Sequence, residues 1–436
     1  MRKYARIAAL FLLTGCAHSH EAPDDKFPPM CGGVFDQPSD LAKKPPTFIE
    51  DDYPRALAEA KARHVPLFVD AWASWCHSCV SLKNYVFTDP QVAIETSNFV
   101  WLAIDTENPK NAAFVAKFPS AVLPTLRVVD ATSETEKLKW EGTLTAAELV
   151  DTLEHLRYST PIKDEASHAR DVDAQVMTLS LADENETCAK MASESIGKLP
   201  NGTQRVDVAV TGTSCAMELS KSEQQRFLPQ LLDELQKITT DTSLPILADD
   251  RSGAFEALVD AGQAAGEKAA STENAARWAT FLEGEANKAK TPAERAVFDP
   301  HRLLAYLALA QPERAIPMLQ QSQKDFPNDF NPPARLARAY FEMGQIEETL
   351  TASDQALALA TGPRRVKIAL LKADALAKKG DIAAEQQTLD DTLTFVGTLP
   401  AAQVSKKMTS VLQDRIAKLE ARTTPTGPGK KAAAKH

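Results

Sequence analysis

The stretch Pro66-Leu67-Phe68-Val69-Asp70-Ala71-Trp72-Ala73-Ser74-Trp75-Cys76-His77-Ser78-Cys79 constrains this chain more than any other, because an apolar run ends on two cysteines with two residues between them. Such a run predicts a buried strand giving way to a helix, with the dithiol at the junction. There the first thiol meets unpaired N–H groups at a helix N-terminus, which favour its thiolate, and the thiolate is the form that attacks disulfides. A zinc ribbon would need a second ligand pair, and the chain has no other Cys-x-x-Cys; haem attachment would need a histidine directly after the second cysteine, where Val80 stands. The sequence therefore predicts no metal, and no cofactor beyond a redox-active Cys76–Cys79 disulfide.

The surroundings are equally specific. Asp70 lies six residues before Cys76; Val122-Leu123-Pro124-Thr125 opens the apolar run Leu126-Arg127-Val128-Val129; Gly142 follows, and Thr145-Ala146-Ala147-Glu148 has the form of a capping box. Taken in this order, residues 48–158 resemble the thioredoxin superfamily, and Trp75 through Val86-Phe87-Thr88-Asp89-Pro90 is closest to its branch with a Cys-His-x-Cys tetrad. The resemblance implies an α/β domain in which Cys76 attacks, Cys79 resolves, and Asp70 is a buried carboxylate that takes the Cys79 proton. It also implies a cis bond at Leu123–Pro124, an edge that faces the dithiol and pairs with the substrate backbone; proline is the residue before which a cis bond costs little. One element departs from the family: the lysine that many thioredoxins place near the carboxylate would fall at Trp101. Asp70 then stands either as the proton acceptor or as a strand-end carboxylate that is solvated or caps a neighbour. His77 either stabilises the Cys76 thiolate when charged or is a solvated loop histidine. Trp75 is expected near the surface, able to pack on substrate.

The N-terminus bears on compartment. Arg2, Lys3 and Arg6 precede a short apolar run, Ile7 to Leu13, too brief to span a bilayer and of the kind found in secretory signals. Leu13-Thr14-Gly15-Cys16 resembles the bacterial lipoprotein cleavage box, which implies lipid on Cys16 and, with Ala17 following, an outer-membrane address facing the periplasm. Several acyl chains suffice for stable anchoring. In an oxidising envelope Cys188 and Cys215 form a structural disulfide or remain two buried thiols; Cys31 has no obvious partner.

The chain divides into a signal segment at 1–15, a proline- and glycine-bearing tether at 16–47, the thioredoxin-like domain at 48–158, a helical domain at 159–298, helical repeats with a capping helix at 299–422, and a disordered tail at 423–436. The repeats rest on Gly344 and Gly380, 36 residues apart, with Gln311-Pro312 at the equivalent turn earlier. Leu336, Ala337, Tyr340, Gly344 and Ala356 resemble the tetratricopeptide pattern, as do Ala373, Leu376 and Gly380, while Thr349, Ser353 and Glu385 depart from it. Val404, Met408, Val411, Leu412, Ile416 and Leu419 form one stripe of the expected capping helix.

These features predict a membrane-anchored thiol-disulfide oxidoreductase of the bacterial envelope, a reductase rather than an oxidase, whose partners are client proteins, an envelope electron donor or acceptor, and a protein on the repeats. The alternative is an adaptor in which fold and repeats bind proteins while the dithiol stays inert. A net charge of −10, with the lysine cluster confined to the tail, argues against nucleic acid.

Overall fold

The computed structural model describes residues 44–158 and 164–423. The signal segment, Cys16, Cys31 and nearly all of the tail lie outside the described residues, as does most of the tether. Leu67–Trp72 (β2) is the central strand of a five-stranded sheet, and apart from Asp70 it is apolar throughout, as a strand covered on both faces requires. It runs parallel to Val100–Asp105 (β3), which pairs in parallel with Ile49–Glu50 (β1). On its other side Thr125–Val129 (β4) is antiparallel, followed by antiparallel Glu136–Glu141 (β5), giving the order β1-β3-β2-β4-β5. Alternation sends Leu67, Val69, Leu102 and Ile104 to one face, against Tyr53–Arg63 (α1), and Phe68, Trp101, Leu126 and Val128 to the other, against Ala146–Tyr158 (α4).

Local chemistry fixes the ends of these elements. Asp52 caps α1 by accepting the Arg55 N–H at 3.1 Å, Pro54 sits in its first turn, and His64 closes it in the left-handed region. The capping box before α4 forms as predicted: the Thr145 N–H donates to Glu148 at 2.7 Å and the Glu148 N–H to the Thr145 hydroxyl at 3.2 Å. Short helices at His77–Ser81 (α2) and Ala112–Lys117 (α3) complete this layer, and a wider π-turn at Leu82–Val86 continues α2.

The rest of the described chain is helical. Asp164–Leu181 (α5), Asn185–Ser195 (α6), Thr203–Met217 (α7), Lys221–Thr240 (α8) and Ala248–Ala265 (α9) enclose one core. Within it Cys188 of α6 is joined to Cys215 of α7, and at Gly212 a Cβ would stand 2.3 Å from that of Ala192, so glycine is what lets these two helices approach. Lys268–Lys288 (α10), the residues Val297 and Phe298 that follow Pro292–Ala296 (α11), Asp299–Ala308 (α12) and Ala315–Asp325 (α13) build a second core shared with Asn331–Glu342 (α14) and Ile346–Leu359 (α15). Arg364–Lys379 (α16) and Ile382–Val396 (α17) form the next hairpin, and Lys406–Thr423 (α18) covers it. The hairpins turn at Gly344 and Gly380, both at positive φ, where a side chain would be strained.

The tetratricopeptide-like region thus holds its hairpins despite its polar departures: two of those side chains find partners, while the buried Ser353 hydroxyl has none among the described residues. Thr349 donates to the Gln345 carbonyl at 2.7 Å, and buried Glu385 is paired with Arg422 at 2.5 Å and Arg415 at 3.6 Å from α18. The capping stripe is narrower than expected: Leu412 and Leu419 are buried, but Val411 is exposed, since α18 has a neighbour on one side and successive helical residues point about 100° apart. No helix among the described residues is long and apolar enough to cross a membrane.

Candidate active site

Cys76 is the N-cap of α2 and, joined to Cys79 by a disulfide, its sulfur also accepts the Cys79 N–H at 3.2 Å and lies 3.5 Å from the Ser78 hydroxyl. This is the electropositive end of the helix, and a thiolate formed there on reduction keeps the same donors. Both cysteines are buried, Cys76 at 4% exposure and Cys79 at 0%. Ala73 packs with them, along with Trp72, Trp75 and Leu123. Trp75, expected near the surface, is half-buried, because the Arg364 guanidinium of α16 stacks over its ring at 4.8 Å. The Leu123–Pro124 bond is cis, Leu123 is half-buried and Pro124 buried, and the Gly142 N–H donates to the Pro124 carbonyl at 3.0 Å.

Below the dithiol lies Asp70. It is wholly buried between Ala103 and Leu126 of the flanking strands, and neither carboxylate oxygen has a hydrogen-bond partner among the described residues. Burial pushes its pKa up to about 7; Lys83 pulls it down and Glu50 pushes it further up. The family's lysine position is filled by Trp101 as expected, and the charge that acts on Asp70 comes from elsewhere. Trp101 packs on Phe68, and Lys83 comes from the π-turn after α2, its ammonium 3.6 Å from the Trp72 ring centroid and 3.6 Å from Glu50. A lysine seven residues after the nucleophile carries no sequence signal, because the extra residue in a π-turn decides which way it points.

Above the dithiol the helical region forms a roof. Asn331 of α14 donates to the Ser74 carbonyl at 3.0 Å, Gln403 donates to the Thr106 carbonyl at 2.8 Å, and Tyr85 donates to the Glu294 carbonyl at 3.1 Å. Thr143 and Asp250 are joined at 2.7 Å. Between this roof and the sheet domain lies a cavity of about 730 Å³, lined by His77, Ser78, Leu123 and Pro124 on one side and by α5, α7, α9 and α12 on the other. The cavity is acidic. Burial raises Asp173 and Asp250 to about 7 and Asp207 well above the ordinary carboxylate range, with neighbouring carboxylates adding to the rise.

His77 turns into this cavity toward two residues that no sequence pattern singled out as site residues. Its Nδ1 is 2.9 Å from Asp249 Oδ2 and 3.1 Å from His301 Nε2. Burial favours protonation of Asp249, but the charges and contacts of His77 and His301 outweigh it and hold the carboxyl well below its usual range. Burial likewise opposes the charge on His301, yet Asp249 and Glu256 raise it to about 9. The three residues are 172 and 52 positions apart along the chain, a spacing with no local signature.

Residues 48–131 match the family model described as thioredoxin-like. The chain is 34% identical over 90 residues to the thiol:disulfide interchange protein DsbD of Citrobacter koseri, a stretch covering 20% of this chain and 15% of that protein. It is 36% identical over 81 residues to the DsbD of Vibrio cholerae, covering 18% and 14% respectively. The chain therefore spans 15% or less of the length of these two relatives. Among solved structures, the TPR2AB-domain:pHSP90 complex of yeast Sti1 aligns with 58% of this chain and 99% of that one at a TM-score of 0.26 and 15% identity. BtubC from P. vanneervenii aligns with 58% and 96% at 0.34 and 14%. Both scores are too low to establish a shared fold.

Proposed function

We propose, from the premise that residues 48–131 form a thioredoxin-like domain, that this protein is a thiol-disulfide oxidoreductase, anchored in the bacterial envelope through lipid on Cys16, that reduces client disulfides with Cys76 and Cys79. The observation that carries this reading is the Cys76 sulfur at the first turn of α2, accepting a helix N–H beside the cis Pro124 and above the buried Asp70. In the reduced protein the Cys76 thiolate attacks one sulfur of a client disulfide; that S–S bond breaks, a mixed disulfide forms and the client's other sulfur leaves as a thiolate. Cys79 gives its proton to Asp70, whose pKa near 7 suits a proton acceptor at neutral pH, and attacks the Cys76 sulfur. The second client thiolate departs and takes a proton from solvent. Two electrons have passed to the client, and the Cys76–Cys79 disulfide is the product. An envelope donor restores the dithiol.

A second reading, a protein-binding adaptor with a silent dithiol, is favoured by one observation: Cys76 is 4% exposed beneath a helical roof. The two readings diverge in one assay. As an oxidoreductase, the reduced full-length protein reduces a peptide disulfide, Cys76→Ser brings that rate to background, and Cys79→Ser accumulates a covalent client adduct. An unchanged rate in Cys76→Ser removes the redox reading and leaves the adaptor.

A further inference from the structure

We propose that His77, His301 and Asp249 form a divalent transition-metal site, with zinc(II) the favoured ion, at the joint between the thioredoxin-like domain and the helical roof. The geometry carries the inference. His77 Nδ1 lies 2.9 Å from Asp249 Oδ2 and 3.1 Å from His301 Nε2, which is itself 3.2 Å from the other carboxylate oxygen, Asp249 Oδ1, and one ligand atom from each residue falls within 4.8 Å of the other two. Ligands on a tetrahedral zinc ion, with bonds of about 2.0–2.1 Å, stand about 3.3 Å from one another. The three donor groups are already gathered at the spacing such an ion needs, and small side-chain rotations bring one atom of each onto it.

Two imidazole nitrogens directed at each other across 3.1 Å have room for one proton between them, while one cation accepts both lone pairs. Asp249 Oδ1 is buried, with its residue 3% exposed, and has no hydrogen-bond partner among the described residues. It lies 3.2 Å from His301 Nε2 without hydrogen-bond geometry, while Oδ2 meets His77, and a buried carboxylate oxygen left so beside an imidazole is a feature a cation resolves. The other His301 nitrogen, Nδ1, stands 3.4 Å from Glu256 Oε2, an ion-pair contact without hydrogen-bond geometry, close enough for that carboxylate to turn toward Nδ1 and leave Nε2 as the ligand. His301 and Asp249 are buried on α12 and at the start of α9, whereas His77 on α2 keeps 40% of its side chain exposed. All three line the acidic cavity, which leaves the fourth coordination position facing open space. Because His77 follows Cys76 directly, an ion held here ties the dithiol helix to the roof. The site does not require the dithiol to turn over.

The test uses the full chain, stripped with a chelator, kept oxidised at Cys76–Cys79 and alkylated at free thiols, so that sulfur cannot supply ligands. Zinc(II) is titrated in competition with a chromophoric chelator, and cobalt(II) provides visible d–d bands that report imidazole ligation. The expected result is one saturable equivalent per chain, weakened about 100-fold by His77→Gln and by Asp249→Asn and about tenfold by Glu256→Gln. Asp249→Asn removes a buried charge and is exposed to misfolding. His77→Gln alters a half-exposed side chain and stands as the decisive variant, with circular dichroism verifying its fold. Zinc binding that His77→Gln leaves unchanged, or the absence of a saturable equivalent in the unmodified chain, overturns the proposal and leaves the three residues as a metal-free ion-pair cluster.

Discussion

Asp70 beneath the dithiol and Asp249 above it are both almost entirely out of water, yet they are held in opposite states. Asp70 sits in the sheet with no hydrogen-bond partner among the described residues, and burial raises its pKa to about 7. Asp249 touches two imidazoles, and burial loses to them. What separates the two is the number of cations within reach, because desolvation of a carboxylate is overcome only by charge or hydrogen bonds placed against it. A nearly neutral buried acid is suited to moving a proton. A permanently charged one is suited to holding something in place.

The largest expected effect falls on Asp70. Asp70→Asn should slow disulfide exchange on the order of 100-fold at pH 7, through loss of the proton acceptor. The same variant should fold more stably, with a definite pH signature. The folded-state pKa lies above the unfolded value, so the unfolded chain gives up this proton first and stability falls as pH rises from about 4 to about 7. Relief in the Asn variant should therefore be on the order of 4 kcal/mol at pH 8 and near zero at pH 4 by urea denaturation of the oxidised protein. An equal gain at both pH values would mean that Asp70 is not neutral in the fold, and the contrast with Asp249 would collapse.

Asp249→Asn should act in the opposite direction. In chelator-treated protein it should cost about 3 kcal/mol at pH 6, because His301 loses a counter-charge. The depressed Asp249 pKa contributes stability present above about pH 4 and lost as the solution is acidified further. The raised His301 pKa contributes stability fully present below about pH 6.5 and lost as pH rises through about 9. The penalty should accordingly be widest between those limits and shrink above pH 9. A penalty that is flat with pH would show that packing, not charge, is what Asp249 supplies.

The smallest effect tests whether roof and floor are mechanically linked. Asn331→Ala removes the hydrogen bond to the Ser74 carbonyl, should cost about 1 kcal/mol, and should speed alkylation of reduced Cys76 several-fold. Unchanged alkylation would mean that the roof does not govern access to the thiol.

Legibility differed between these regions for identifiable reasons. The strand Leu67–Trp72, the helix opening at Cys76 and the capping box at Thr145 and Glu148 were readable because each depends on residues within a few positions of one another, while the cis bond at Pro124 and the glycine at 142 were implied by the thioredoxin resemblance. The charge acting on Asp70 was not: the family's lysine position is filled by Trp101, and Lys83, on an irregular turn against Trp72 and Glu50, lowers the Asp70 pKa from a distance. The departures at Thr349 and Glu385 looked like weak points of the repeats, yet Glu385 is answered by Arg415 and Arg422 of a helix some thirty residues later.

By itself, the sequence determined that a dithiol stands at a strand-to-helix junction, and that a long helical region follows. Local propensity and short-range spacing are enough to encode those facts. Tertiary structure alone decided that the helices fold back over the dithiol, that Asp249 and His301 meet His77, and that the cavity between them is acidic. Those outcomes depend on contacts between residues tens to hundreds of positions apart, where chain spacing carries no information about distance in space.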